Sequence, residues 1–252
     1  TYNSPGTYNV SLTVSDGTDN DTETKTGYIT VKNVIAEFSG TLQTVVVGNS
    51  VTYTDMSSCS PTSWSWSFPG GTPSSYNGQN PPAIQYDTEG IYKVSPTVTK
   101  GGNNDVETKT DYIEVVPPEF NMQNGTITTC MGNFYDSGGP TGSHANDEDF
   151  VLTFYPSAAG AQLEFNFTQF DVEFQSTCNY DYLNIYDGEN TSATLIGQYC
   201  GTNSPGIITS SNSAGAITFE WHSDVSVTST GWNASISCST SPPVADFTAS
   251  ST

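Results

Sequence analysis

Apolar and polar residues alternate along most of this chain with the period of two that a half-buried strand requires. YNVSLTVS (8–15) and TETKTGYITV (22–31) alternate around a polar Gly/Asp/Asn stretch and predict a hairpin. Further on, DFVLTFYP (149–156), QLEFNFTQFDVE (162–173), DYLNIYDG (181–188), TLIGQYCG (194–201), GIITSS (206–211), AITFEWHS (216–223) and WNASISC (232–238) repeat the pattern. Val, Ile, Thr and Tyr fill most of the apolar positions, and that mix favours strands over helices. The expectation is an all-β chain of sandwiches.

The pattern itself repeats. Residues 1–31 align without gaps to residues 85–115 at an offset of 84. Tyr2 matches Tyr86, Gly6 matches Gly90, Tyr8 matches Tyr92, and the block ETKT-x-YI recurs whole. A second echo links IAEFSGT (35–41) to VADFTAS (244–250). Residues 34–117 thus read as one complete domain and residues 1–33 as the last strands of a preceding copy. Residues 118–240 read as a different domain, and 241–252 as the first strand of a further copy. The expectation is a slice of a longer array, beginning inside a mature or processed chain.

Composition narrows the function classes. Hydrophobic residues make up 34% of the 252, which suits several small sandwiches better than one large core. The chain has 26 acidic residues, five lysines and no arginine, for a net charge of −21. Such a charge repels phosphate backbones and anionic membranes, so nucleic acid is excluded as a partner. No apolar run approaches the roughly 18 residues of a membrane helix, so no insertion is expected. Solubility accounts for most of the acidity, and divalent-cation binding is its functional reading.

Residues 35–116 resemble a PKD domain, an immunoglobulin-like sandwich of surface and secreted proteins. The match rests on VTYTDMSS, then Trp64-x-Trp66-x-Phe68, then Y-x-x-x-G-x-Y-x-V, then ETKTDYIEV. It departs at the turn, where Pro69-Gly70-Gly71 replaces the usual FGDG continuation, so a metal role for that Asp is absent. Trp66 is expected to fill the core between sheets.

The remainder resembles a CUB domain. CNYDYLNIYDG, LIGQYCG, the I-x-F-x-W-x-SD-x-S stretch and GW-x-A occur in that family's order and spacing, flanked by Cys178 and Cys200. The resemblance implies a calcium site. Calcium-binding members draw ligands from a Glu, an Asp eight residues on and a distant Asp in SD-x-S, positions held here by Glu173, Asp181 and Asp224, with Ser226 two residues further. It also implies a Cys178–Cys200 disulfide. The early Cys130 lacks the family's usual partner. Cys238 lies at the far end, where first and last strands pair antiparallel, so a Cys130–Cys238 clasp is geometrically reasonable; the other reading leaves both thiols free. Cys59 is left over. The style of both domains is similar to multidomain secreted proteins of Bacteroidetes-type bacteria.

No catalytic constellation competes with this reading. Asp136-Ser137-Gly138-Gly139-Pro140 repeats the tail of the trypsin-like nucleophile signature, but both histidines, His144 and His222, follow Ser137, and a Gly-rich turn explains the segment better. No HExxH occurs. The expected function is a non-catalytic extracellular binding and spacer segment of a surface adhesin, fibre or matrix protein. Its partner is a protein or glycan at the CUB-like face, joined by neighbouring domains or copies of the same chain. The alternative is an accessory substrate-binding segment of a secreted peptidase or other hydrolase.

Overall fold

The computed structural model of the protein describes residue 2 and residues 4–240, all of whose regular elements are strands. The first-strand echo expected at 241–252 lies outside the described residues. Val116 closes one compact unit and Pro117 opens a second.

The first unit begins with the hairpin, Gly6–Ser15 paired antiparallel to Asn20–Val31, most of it exposed. A sandwich follows. Its larger sheet runs in the order Thr44–Val46, Lys109–Val116, Gly90–Lys100, Ser63–Ser67, Ser75–Asn77. Facing elements are the Ser50–Val51, Ile84–Tyr86, Gly71–Thr72 sheet and the Phe38–Gly40, Tyr53–Asp55 pair. Alternation sets the packing, since every second residue of Gly90–Lys100 from Val94 to Val98 turns inward. Phe38, Tyr53, Trp66, Phe68, Ile84 and Tyr86 fill the interior, and Trp66 is 1% exposed, as expected for a core residue. In the Pro69-Gly70 turn, Gly70 sits at φ 77°, where an added Cβ would lie 2.1 Å from the Tyr92 ring. Glycine is therefore required there, and it stands where the acidic turn residue would have been.

The second unit packs two five-stranded sheets face to face. One runs Glu119–Asn121, Met131–Tyr135, Gly231–Thr240, Ala161–Asp171, Ile207–Thr209; the other runs Gly125–Thr128, Asp149–Tyr155, Ile217–His222, Tyr182–Asp187, Thr194–Tyr199. Phe134, Phe154, Phe165, Phe219, Trp221 and Trp232 fill the space between them, mostly edge to face. Three edge pairs are parallel in an otherwise antiparallel architecture: Thr44–Val46 on Lys109–Val116, Glu119–Asn121 on Met131–Tyr135, and Gly125–Thr128 on Asp149–Tyr155. The last two use short strands with no alternation long enough to announce them.

Disulfides join Cys130 to Cys238 and Cys178 to Cys200, while Cys59 is free and half-buried. The first clasps neighbouring strands, because Met131 pairs with Ser237 across the Met131–Tyr135 and Gly231–Thr240 ladder.

Candidate metal centre

Three loops at one end of the second unit bring the acidic residues together. Glu173 follows the strand Ala161–Asp171, in which Leu163, Phe165 and Phe167 face the core. A bulge between Phe167 and Gln169 shifts the parity, so Phe170 and Val172 face inward instead and Glu173 is delivered to the loop. Its carbonyl accepts the Gly201 N–H at 3.3 Å, beside Cys200. The Cys178–Cys200 disulfide therefore fixes both ends of the Glu173–Asp181 loop. Asp181 precedes Tyr182–Asp187 and Asp224 follows Ile217–His222; these strands pair with Tyr182 opposite His222, which sets the two aspartates side by side.

One carboxylate oxygen each of Glu173, Asp181 and Asp224 lies within 4.8 Å of the others. Asp181 is fully buried, and its Oδ1 accepts the Asp224 N–H at 2.9 Å. Asp181 Oδ2 and Glu173 Oε2 are buried with no hydrogen-bond partner. Burial raises the pKa of both groups, and for Glu173 the neighbouring Asp224 and Asp181 charges add to the rise. The Asp224 N–H opposes the rise at Asp181 without cancelling it.

His144 stands behind Asp181, with Nε2 at 3.5 Å from Oδ2 and both side chains fully buried. Nε2 accepts the Ser229 N–H at 3.0 Å and Nδ1 lies 3.2 Å from the Ala145 carbonyl, an arrangement that assigns the proton to Nδ1. No proton then bridges Nε2 and Asp181 Oδ2, and that carboxylate oxygen is left as an unpaired acceptor. The donor set is all oxygen and shaped for a hard cation. Ligands on opposite sides of a calcium ion stand about 5 Å apart, so the spacing fits calcium.

Ser226 does not join the three acids directly; its N–H and hydroxyl both turn to Asp224 Oδ1, at 2.8 and 3.4 Å. It holds the orientation of Asp224. The Asp136–Glu148 loop, of which only the stretch to Pro140 is expected as a Gly-rich turn, forms the back wall. Ser137 Oγ donates to Glu148 Oε2 at 2.6 Å, with no histidine base beside it, and Trp221 Nε1 donates to the same oxygen at 3.0 Å. Asp136 is fully buried and burial pushes its pKa up to about 6, against the Gly138 N–H. An added Cβ at Gly231, φ 66°, would sit 1.8 Å from Asp136 Oδ2, so only glycine closes that wall. No periodicity marks this loop, and its only sequence signal is the Gly-rich, largely polar composition shared by many turns.

The CUB domain model matches residues 123–236 and the PKD domain model matches residues 35–115. Human cubilin is 34% identical over 116 residues, which is 46% of this chain and 3% of cubilin. Mouse tolloid-like protein 2 is 33% identical over 78 residues, 31% of this chain and 8% of that protein. The chain thus spans only a small part of these curated relatives. They are animal proteins and give the expected Bacteroidetes origin no support. Among solved structures, the MASP-1 CUB2 domain, described as bound to Ca2+, is 24% identical, with 45% of this chain and 98% of that one covered at a TM-score of 0.38. The full extracellular region of zebrafish Gpr126/Adgrg6 is 21% identical over 48% of this chain and 15% of that one, at a TM-score of 0.41.

Proposed function

We propose that the CUB unit binds one calcium ion through Glu173, Asp181 and Asp224, and that the ion orders the surrounding loops into an interaction surface for a protein or glycan partner outside the cell. The convergence of three carboxylates around two buried, unpartnered oxygens carries this reading. Without a cation, their mutual repulsion and burial favour the protonated forms; a divalent ion removes that penalty and lets all three loops hold one geometry. CUB and PKD modules are typically binding or structural units. The PKD unit then acts as a spacer in an adhesin, fibre or matrix protein, without catalysis by this segment. Calorimetry on the whole chain tests the metal reading. One calcium site is expected, absent in Asp181→Ala; no heat at millimolar calcium, or an unchanged variant, would overturn it.

A further inference from the structure

Strands Asp149–Tyr155, Ile217–His222 and Tyr182–Asp187 turn Leu152, Phe154, Phe219, Trp221, Leu183 and Ile185 into the core of the CUB unit. The alternate residues therefore form the outer face of that sheet. At one end of the face the Tyr182 ring lies 5.1 Å from the His222 ring, and His222 Nδ1 lies 2.7 Å from Asp149 Oδ1. At the other end the Gly188-Glu189 turn covers two threonines. Thr218 Oγ1 donates to the Gly188 carbonyl at 2.8 Å, and Thr153 Oγ1 to that of Glu189 at 3.4 Å. Between these ends runs the row Val151, Glu220, Asn184 and Gln198, each paired with the next across four strands. Val151 and Gln198 are exposed, and Glu220 and Asn184 are half-buried.

This row is short of donors. Glu220 Oε2 accepts from the Tyr186 hydroxyl at 2.6 Å and from Asn184 Nδ2 at 2.9 Å. The carboxylate takes the amide nitrogen, which leaves Asn184 Oδ1 buried with no donor of its own. Glu220 Oε1 likewise receives no donor among the described residues. Residues 117–240 contain no lysine or arginine, so the unit has no fixed cation to offer either oxygen. Burial and the bond to Glu220 push the Tyr186 pKa up to about 12, which keeps a neutral ring beside the carboxylate. Tyr182 and Tyr186 stand two residues either side of Asn184, about 7 Å away along the strand, with room for one flat group between them.

The complement of this row is positively charged, carries several N–H donors and is flat enough to lie against tyrosine rings. A guanidinium meets all three conditions; an ammonium lacks the planar fork, and a neutral sugar lacks the charge. We propose that the row binds an arginine side chain of a partner protein, with the guanidinium paired to Glu220, flanked by Tyr182 and Tyr186, and supplying the donor that Asn184 lacks. The site is separate from the trio of Glu173, Asp181 and Asp224 and does not rest on calcium binding.

NMR titration of the nitrogen-labelled whole chain with Nα-acetyl-arginine amide tests it, once with saturating calcium and once in excess chelator. Saturable shifts are expected at the Asn184 side-chain amide and along Tyr182–Asp187 in both. The uncharged citrulline amide is expected to give none, and the lysine amide to bind about fivefold more weakly. Glu220→Gln keeps an oxygen for Tyr186 and Asn184 but not the charge, and is expected to weaken binding about tenfold. Val151→Lys sets a competing cation opposite Glu220 from an exposed position and is expected to weaken it as much. No saturable shift at tens of millimolar, an equal response to citrulline amide or to lactose, shifts confined to Glu173, Asp181 and Asp224, or binding unchanged in either variant would overturn the proposal.

Discussion

Two acids in each compact unit are held in opposite ways. In the PKD unit, Glu37 meets Lys109 at 2.7 Å, and that lysine holds its carboxyl below the usual range. Asp55 Oδ2 accepts from Trp64 Nε1 and Gln79 Nε2, both at 2.9 Å. In the CUB unit, Glu173 and Asp181 face other carboxylates and shift the other way. The reason is visible in the chain: all five lysines precede residue 117 and there is no arginine. A carboxylate cluster there has no fixed in-chain cation to pair with, so its countercharge comes from protons or from solution. Acidity alone therefore says little about metal binding. What separates Glu37 and Asp55 from Glu173 and Asp181 is whether a side chain donates to the carboxylate.

The sharpest way to break this contrast is to remove an acid from each side. Asp181→Ala is expected to weaken calcium binding by about a hundredfold or more, close to 3 kcal/mol, measured by calorimetry, because both a ligand and the buried anchor for the Asp224 N–H are lost. An equivalent loss in a PKD acid, such as Glu37→Gln, should leave calcium binding unchanged. Next in size is the disulfide that frames the site. Cys178→Ser with Cys200→Ser opens a loop with a sequence separation of 22 and is expected to cost about 3 kcal/mol of stability by denaturant titration, and to weaken calcium as well.

Asp136 sharpens the comparison through pH. Its folded pKa of about 6 stands above the ordinary 3.8, so the folded state binds the extra proton, and stability attributable to this group falls as pH rises from about 4 to 6. Asp136→Asn is expected to raise stability by about 2 kcal/mol at pH 7 and to have no such effect below pH 4. Thermal melts across that range check it. The smallest effect belongs to the PKD unit: Lys109→Met removes the ion pair and leaves Glu37 only the Phe38 N–H, at a site where its side chain is 46% exposed, and is expected to cost about 1 kcal/mol or less, diminished further by salt.

Much of the fold was legible because alternation is local. Ala161–Asp171 and Ile217–His222 declare their buried faces residue by residue, and the repeat located the PKD copy by self-comparison. Glu173, Asp181 and Asp224 were legible as candidates because their family spacing survives. Ser226 enters only through the SD-x-S resemblance, and its hydroxyl turns to Asp224. The importance of the Asp136–Glu148 loop is not legible, since a glycine-rich turn carries no pattern that tells solvent exposure from a buried wall.

By itself the sequence determined the β class, the inward and outward faces of the longer strands, and which cysteines and acids were available. Each of these depends on neighbours close in the chain or on a repeated pattern. Only the tertiary structure decided that three acids from separate loops share one small volume, that His144 stands 3.5 Å from Asp181 with its Nε2 accepting the Ser229 N–H, and that Asp136 is fully buried. Such relations depend on backbone paths that meet from residues far apart, and no local rule of period or propensity encodes a distance between loops.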